Sequence, residues 1–200
     1  MAGDTKERIL EVALELFAQK GYLGTSMSDI ADRLGITKGA LYKHYAGKQE
    51  ILNAVAEKMR RLDYERAVKF EMPESEPQDG DSRTPLEKIG EYAVAQFKYW
   101  TEEKFPSDFR KMLTLEQYRD PVFSSLYRDY LSGGPTDYMA AIFGRFTENG
   151  ETAMQLALEF YGPMFLLYGI YDCADDKSKA LQLLTEHIDR FIRRFKAENL

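Results

Sequence analysis

The chain has 200 residues, 44% of them hydrophobic and 30% charged, and a formal net charge of −6 at pH 7. This length allows one domain, or a small domain followed by a larger one, with a buried core. The negative charge argues against a chain that coats nucleic acid without sequence preference. The single cysteine, Cys173, excludes an intrachain disulfide and a multi-cysteine metal site.

The composition predicts an all-helical (all-α) fold. Leu, Ala, Glu, Lys, Met and Arg are abundant, and these residues favour helices. No long segment alternates polar and apolar residues as a strand does. The N-terminus has no apolar signal-peptide segment, so we expect an intracellular protein. The apolar stretch 153–171 contains Gln155, Glu159 and a Gly-Pro pair, so we expect a buried helix there and not a membrane span.

The first predicted helix runs from Asp4 to Lys20. Lys20 suits the negative end of a helix, and Gly21 can adopt the left-handed conformation of a C-terminal cap. One face of this helix is apolar, so we expect it to cover the next helices along the chain. The residues of this face are Ile9, Val12, Ala13, Leu16 and Phe17.

Residues 26–48 predict two short helices joined by a tight turn. The apolar residues of the first have helical spacing, at Met27, Ile30, Ala31 and Leu34. Gly35 breaks this pattern and can take the positive φ of a turn. Ser26 and Asp29 have the spacing of a capping box, and Thr37 can cap the second helix. Together these features predict a helix-turn-helix.

Charge is distributed unevenly along the chain. Residues 20–48 carry five lysine or arginine side chains and two aspartates, an excess of three positive charges in a chain that is negative elsewhere. One surface could therefore attract phosphate groups while the rest of the chain repels them.

A fourth helix is predicted from Lys48 toward Phe70, long enough to connect the N-terminal unit to the rest of the chain. Residues 71–83 contain two prolines, a glycine and five acidic side chains against one basic, which predicts a loop. The next helix is predicted to begin at Pro85 and to stop at Pro106.

The remainder of the chain predicts five further helices, over 107–118, 121–133, 135–149, 153–173 and 177–196. The helix over 153–173 is apolar on nearly every side, and the last keeps a broad apolar stripe. A helix that is apolar all round must be covered on all sides. These two helices therefore predict an interface between subunits.

Several features occur together between residues 9 and 52. In order they are an amphipathic helix ending in F-x-x-x-G-Y, a helix containing T-S-M-x-x-I-A, the turn G-I-T-K-G, the sequence L-Y-x-H-Y and a lysine that opens a fourth helix. In these features the chain resembles the TetR family (TetR/AcrR-like) of bacterial one-component transcriptional regulators. It departs from the commonest pattern at Tyr45, where Phe is usual, and at Ala46-Gly47.

The resemblance implies a helix-turn-helix DNA-binding domain over residues 1–47, with its third helix, 38–45, in the DNA major groove. The remainder, 48–200, would be a helical effector-binding and dimerisation domain, giving about nine to ten helices in all. Its connector helix would be 48–70 and its loop 71–83. The residues that match DNA-contacting positions of the family are Thr25, Ser26, Thr37, Lys38, Ala40, Tyr42, Lys43, His44 and Lys48.

The resemblance further implies an effector pocket among the helices from 84 to 150, and a homodimer through the helices over about 152–173 and 176–196. Glu116, Gln117 and Gln96 are candidate polar contacts for the effector. The aromatic candidates for the lining of the pocket are Phe97, Trp100, Tyr118, Tyr127, Phe143, Tyr161, Phe165 and Tyr168.

The predicted function is that of a homodimeric repressor in the bacterial cytoplasm, released from a near-palindromic duplex DNA operator by a small apolar or aromatic effector. No catalytic residue, cofactor, metal or membrane contact is predicted. An enzyme using the aromatic cavity is a rival, although His44 and His187 are distant in sequence and Cys173 has no local activating pattern. An N-terminal unit that binds protein, a regulator without an effector and an activator are also compatible with the sequence.

Overall fold

The computed structural model describes residues 2–72, 85–147 and 149–199. These residues form ten α-helices and no strand, which confirms the all-helical prediction, and none of these helices is long and apolar enough to cross a membrane. The helices are α1 (Ala2–Lys20), α2 (Met27–Leu34), α3 (Lys38–Tyr42), α4 (Lys48–Lys69), α5 (Leu86–Glu102), α6 (Lys104–Glu116), α7 (Pro121–Leu131), α8 (Gly133–Phe143), α9 (Gly150–Cys173) and α10 (Ser178–Asn199).

Internal contacts divide the chain into two compact units. The first contains the residues up to Arg66 together with Lys104–Tyr127, and the second contains Ala67–Glu103 and the residues from Arg128 onward. Most of α4 and all of α6 therefore pack with the helix-turn-helix. The predicted division at residue 47 concerns function, and it stays a prediction.

The first unit is organised around α1, which packs against α2 and α6. The helical spacing of its apolar residues directs one face inward, as predicted. Buried side chains from α1, α2, α4 and α6 form the core, and they include Ile9, Ala13, Phe17, Ile30, Ile51, Val55 and Phe109. The helix-turn-helix thus contributes α2 to a core that it shares with α1, α4 and α6.

The second unit consists mainly of α5, α8, α9 and α10, which pack on one another. Gly90 lets α5 approach α10 closely, because a Cβ at this position would lie 2.7 Å from Ile192 Cδ1. An aromatic cluster forms much of the core, with ring centres 5.1–6.0 Å apart. Its members are Phe143, Phe160, Phe191 and Phe195.

Several predicted helix boundaries are wrong. The third helix ends at Tyr42 and not Tyr45, and α8 ends at Phe143 and not near 149. Pro106 does not stop a helix but lies at the third position of α6, and Pro135 lies at the third position of α8. The first turn of a helix contains N–H groups without an intrahelical acceptor, so a proline costs no hydrogen bond there. Residues 73–84, which contain most of the predicted loop, lie outside the described residues.

Candidate nucleic-acid interface

The start of α2 is fixed by a reciprocal cap. Ser26 Oγ accepts a hydrogen bond from the Asp29 backbone N–H at 3.1 Å, and Asp29 Oδ2 accepts one from the Ser26 backbone N–H at 2.8 Å. The Ser26 hydroxyl also donates to Asp29 Oδ2, and this bond is the main reason that the pKa of the Asp29 carboxyl is lowered from its ordinary value. The predicted capping box is therefore confirmed. At the other end of α2, Gly35 has a φ of +68°, the left-handed turn that was predicted.

One face of the short helix α3 packs on the core, and the opposite face is exposed. Thr37 caps it, since its Oγ1 accepts a hydrogen bond from the Ala40 backbone N–H at 3.1 Å. Leu41 and Tyr45 are buried and anchor the segment to the core. The Tyr42 side chain is 45% exposed, and the Lys38 Nζ lies 6.0 Å from the centre of its ring.

Four of the five cations in residues 20–48 fall into two groups. Lys20 pairs with Asp29, at 3.8 Å, and Arg33 pairs with Glu15. Lys38 and Lys43 are exposed, and in the described part of the chain neither forms an ion pair. The local positive charge that is available to an outside anion is therefore concentrated on α3 and the residue after it.

Thr25 and Lys48 face the protein. Thr25 is buried, and its hydroxyl donates to the Gly21 carbonyl at 2.9 Å. The Lys48 ammonium donates to the carbonyls of Tyr22, at 2.6 Å, and Thr25, at 2.8 Å, and lies 4.3 Å from the Tyr22 ring centre. Desolvation lowers the pKa of this ammonium, against the opposing effect of the Glu116 and Asp29 carboxylates.

The predicted DNA-contacting residues thus share one region of the first unit but not one role. Ser26, Thr37, Lys38, Tyr42 and Lys43 are exposed, whereas Ala40, His44 and Lys48 are half-buried. The hydroxyl of Thr25 is already used within the protein, so a DNA contact from this residue would not come from its side chain.

Two carboxylates support this region in roles that the sequence did not predict. Glu15 on α1 contacts both Arg33 of α2 and Lys104 of α6, and the hydrogen bond from Lys104 is the main reason that its pKa is lowered. Glu116 of α6 is buried and accepts a hydrogen bond from the Tyr22 backbone N–H at 2.9 Å. No local sequence signal marks either residue, since their partners are distant along the chain.

The aromatic residues predicted to line an effector pocket are divided between the two units. Tyr118 and Tyr127 belong to the first unit, and Tyr118 is 90% exposed, so it does not line a pocket. In the second unit, Phe97 stacks on Tyr168 with ring centres 5.3 Å apart. The remaining candidates there are Trp100 and Phe143, which are buried, and Tyr161 and Phe165, whose rings are 5.2 Å apart.

An open groove between α5 and α10 was not predicted. Its apolar lining includes Gly90, Val94, Ala95, Ile188 and Ile192, and charged side chains surround it.

Glu116, suggested as a polar contact for an effector, lies in the first unit, and its carboxylate accepts a hydrogen bond from the Tyr22 N–H.

The rival prediction of an enzyme receives no geometric support from the histidines. His44 belongs to the first unit and His187 to the second, and the His187 ring nitrogen Nε2 lies 3.2 Å from the Phe160 carbonyl oxygen. Among the described residues, no group of three or more His, Cys, Asp or Glu side chains is placed to hold a metal ion.

Residues 9–55 match the family model described as bacterial regulatory proteins, tetR family. The chain is 30% identical over 113 residues to the uncharacterised HTH-type transcriptional regulator YerO of Bacillus subtilis, a match that covers 56% of this chain and 36% of YerO. It is 41% identical over 56 residues to the HTH-type transcriptional repressor KstR2 of Mycobacterium tuberculosis, covering 26% of this chain and 28% of KstR2. These matches therefore span about a third of the relatives' length.

Solved structures resemble the chain over nearly its whole length. One is a transcriptional regulator of the TetR/AcrR family from Aquifex aeolicus, with a TM-score of 0.63 and 24% identity, covering 96% of this chain and 99% of the other. Another is the SmeT–triclosan complex, with a TM-score of 0.64 and 19% identity, covering 94% and 91%. At these identities the resemblance establishes the fold, an N-terminal helix-turn-helix followed by a helical C-terminal part.

Proposed function

Through residues 9–55 this chain belongs to the TetR family of bacterial regulatory proteins, and we propose that it is a repressor of transcription that binds operator DNA. The observation that carries this proposal is the surface of α3, where Lys38, Tyr42 and Lys43 are exposed and neither lysine has an ion-pair partner among the described residues. The named relatives are transcriptional regulators, in agreement with the prediction that the chain is not an enzyme.

In the proposed complex α3 lies in the major groove. Lys38 and Lys43 neutralise phosphates or reach a guanine edge, and the Tyr42 hydroxyl donates to a phosphate oxygen. Ser26 and Thr37 keep α2 and α3 capped, and their exposed positions also bring them close to the DNA backbone. Lys48 already uses two donors on carbonyls, and an ammonium has three. One donor remains for a phosphate.

The proposed active form is a homodimer. Leu158, Leu166 and Ile170 on α9 and Leu183 on α10 are large apolar side chains exposed on a single chain, and apolar surface of this kind favours association. Two copies would place two α3 segments about one DNA turn apart, roughly 34 to 36 Å, on a near-palindromic operator. A second copy also doubles the small positive charge that one copy offers to DNA.

We further propose that a small apolar or aromatic effector releases the DNA. The SmeT structure is a complex with triclosan. That complex of a protein with the same fold supports the proposal that this chain also binds a small molecule. The aromatic group around Phe97, Phe165 and Tyr168 in the second unit is the proposed location. A preference of the effector for one of two dimer states needs a coupling of only about 1 to 3 kcal/mol. The proposed compartment is the bacterial cytoplasm.

The proposal is tested by selecting duplexes from a randomised DNA pool with the purified protein, followed by footprinting of the enriched sequence. We expect a near-palindrome with two protected half-sites about one helical turn apart. A protein variant that lacks the lysine of α3 and the lysine that follows it, Lys38→Ala with Lys43→Ala, serves as the matched negative control. Failure of the unmodified protein to enrich any sequence would contradict the proposed function.

A further inference from the structure

We propose that Glu116, which lies on α6 outside the helix-turn-helix, is a positioning residue for DNA binding. Its carboxylate fixes the α1–α2 linker, residues 21–25, from which α2 begins. The inference rests on the proposed function, because its consequence is expressed as affinity for DNA.

The Glu116 carboxylate is built into the first unit. The side chain is 1% exposed, and its Oε1 accepts hydrogen bonds from the Tyr22 backbone N–H at 2.9 Å and from the Arg119 guanidinium at 3.2 Å. A buried carboxylate is costly unless charge and hydrogen bonds compensate it. Arg119 supplies the charge, so the carboxylate can serve as a strong acceptor for one peptide group of the linker.

Gly21 is the residue that admits this carboxylate. A Cβ at position 21 would lie 2.6 Å from Glu116 Oε1, closer than such atoms approach. Gly21 also has a φ of +79°, which side chains disfavour. Glycine at the end of α1 is therefore favoured by its backbone conformation, and it leaves room for the Glu116 carboxylate at the end of α6.

The same peptide segment is held from its other side by α4. The Tyr22 carbonyl accepts a hydrogen bond from Lys48 Nζ, and so does the Thr25 carbonyl. The middle of the linker gains little from burial, since Leu23 is 73% exposed, whereas the Tyr22 ring packs on Phe17 and Phe123. Polar contacts from two helices thus set the path of the backbone from α1 to α2.

The linker passes directly into Ser26, the cap of α2. Without the Glu116 acceptor, the Tyr22 N–H has no other hydrogen-bond partner among the described residues and must move toward water. That movement carries Ser26 with it and releases the carbonyls that hold Lys48. The DNA-facing groups then no longer share one fixed geometry, and contacts that require that geometry weaken.

The test compares Glu116→Ala, Glu116→Gln and Glu11→Ala with the unmodified chain, using the duplex obtained by selection. Glu116→Gln keeps an oxygen that can accept from the Tyr22 N–H, and Glu11→Ala removes the same charge from an exposed position on α1. Affinity is measured by fluorescence anisotropy. Hydrogen exchange, followed by mass spectrometry, reports separately on the peptide that covers the linker.

We expect Glu116→Ala to bind the duplex about tenfold more weakly and to exchange faster in the linker than in the rest of the first unit. Glu116→Gln should restore most of both properties, and Glu11→Ala should match the unmodified chain. If Glu116→Ala does not fold, Glu116→Asp takes its place, because it keeps the charge but shortens the reach to the Tyr22 N–H.

Equal DNA affinity of the unmodified chain and Glu116→Ala overturns this inference while leaving the proposed function intact. So does a loss of affinity that Glu116→Gln does not restore. Failure of the unmodified chain to bind any selected duplex is a different result, and it contradicts the proposed function itself.

Discussion

Individual cations in the helix-turn-helix differ in what they can offer to DNA. Lys20 and Arg33 are partly neutralised by Asp29 and Glu15, and Lys48 is partly desolvated. Lys43 forms no ion pair among the described residues, so it can contact a phosphate without breaking one. Electrostatic binding to DNA should therefore depend most on the lysines of α3 and its C-terminal end.

Replacement of Lys43 by alanine should weaken binding to the selected duplex and reduce the slope of log affinity against log salt by about one. Fluorescence anisotropy at several salt concentrations measures both quantities. Lys179→Ala is the matched control, since Lys179 is an exposed lysine on α10. Identical slopes for the two variants would contradict the assignment of Lys43 to a phosphate.

For single residues, the sequence predicted the features that depend on near neighbours along the chain. Ser26, Asp29, Thr37 and Gly35 were predicted correctly because caps and tight turns depend on residues within three or four positions. The inward orientation of Thr25 and the role of Glu116 could not be predicted. Each depends on where a distant helix packs. The local sequence does not distinguish a buried glutamate from an exposed one.

Among the elements, α2 depends on its cap, because an eight-residue helix is too short to be stable on its own. Ser26→Ala removes the acceptor for the Asp29 N–H and should lower the free energy of unfolding by about 1 kcal/mol. Urea unfolding measures the change. Ser28→Ala, within the first turn of the same helix, is the control and should be nearly neutral. A neutral Ser26→Ala would mean that the cap adds nothing to stability.

The cap should also respond to pH. The Asp29 carboxyl has a lowered pKa, chiefly through the Ser26 hydroxyl, so its stabilising effect is present above the ordinary pKa and is lost as pH falls through the lowered value. The difference in unfolding free energy between the unmodified chain and Asp29→Ala should therefore shrink from pH 7 to pH 3. Asp32→Ala on the same helix provides the comparison. A difference that grows on acidification would contradict a stabilising role for the charged carboxylate.

Several helix boundaries depend on packing and were not predicted correctly. The existence of α5 to α10 was correctly predicted from apolar spacing, but Pro106 and Pro135 were placed at or outside helix ends. Both lie in first turns, where only packing decides whether the preceding two residues join the helix. The predicted length of the third helix was too great because Lys43 to Tyr45 continue as a tight hydrogen-bonded turn.

For the whole molecule, association should determine function. Leu166 on α9 is 68% exposed in the single chain, so Leu166→Glu should shift the protein toward monomer and weaken operator binding, because both half-sites must be filled together. Analytical ultracentrifugation measures the first effect. Val68→Glu alters an exposed residue on α4 and is the control. An unchanged dimer in Leu166→Glu would place the interface elsewhere.

The overall architecture was predictable because the family pattern covers residues 9–55 and apolar spacing covers the remainder. The effector site was not predictable in detail. Aromatic residues that serve the core and those that would line a pocket have the same spacing, and Tyr118, which the sequence grouped with the pocket, is instead exposed in the first unit.

The most direct test of the central claim is a salt titration of binding between the purified chain and its selected duplex, beside a scrambled duplex of the same length and composition. We predict that the selected duplex binds more tightly by at least about a thousandfold near physiological salt, and that its affinity falls steeply as salt rises. Equal affinity for both duplexes, or binding that is insensitive to salt, would contradict a sequence-reading helix-turn-helix.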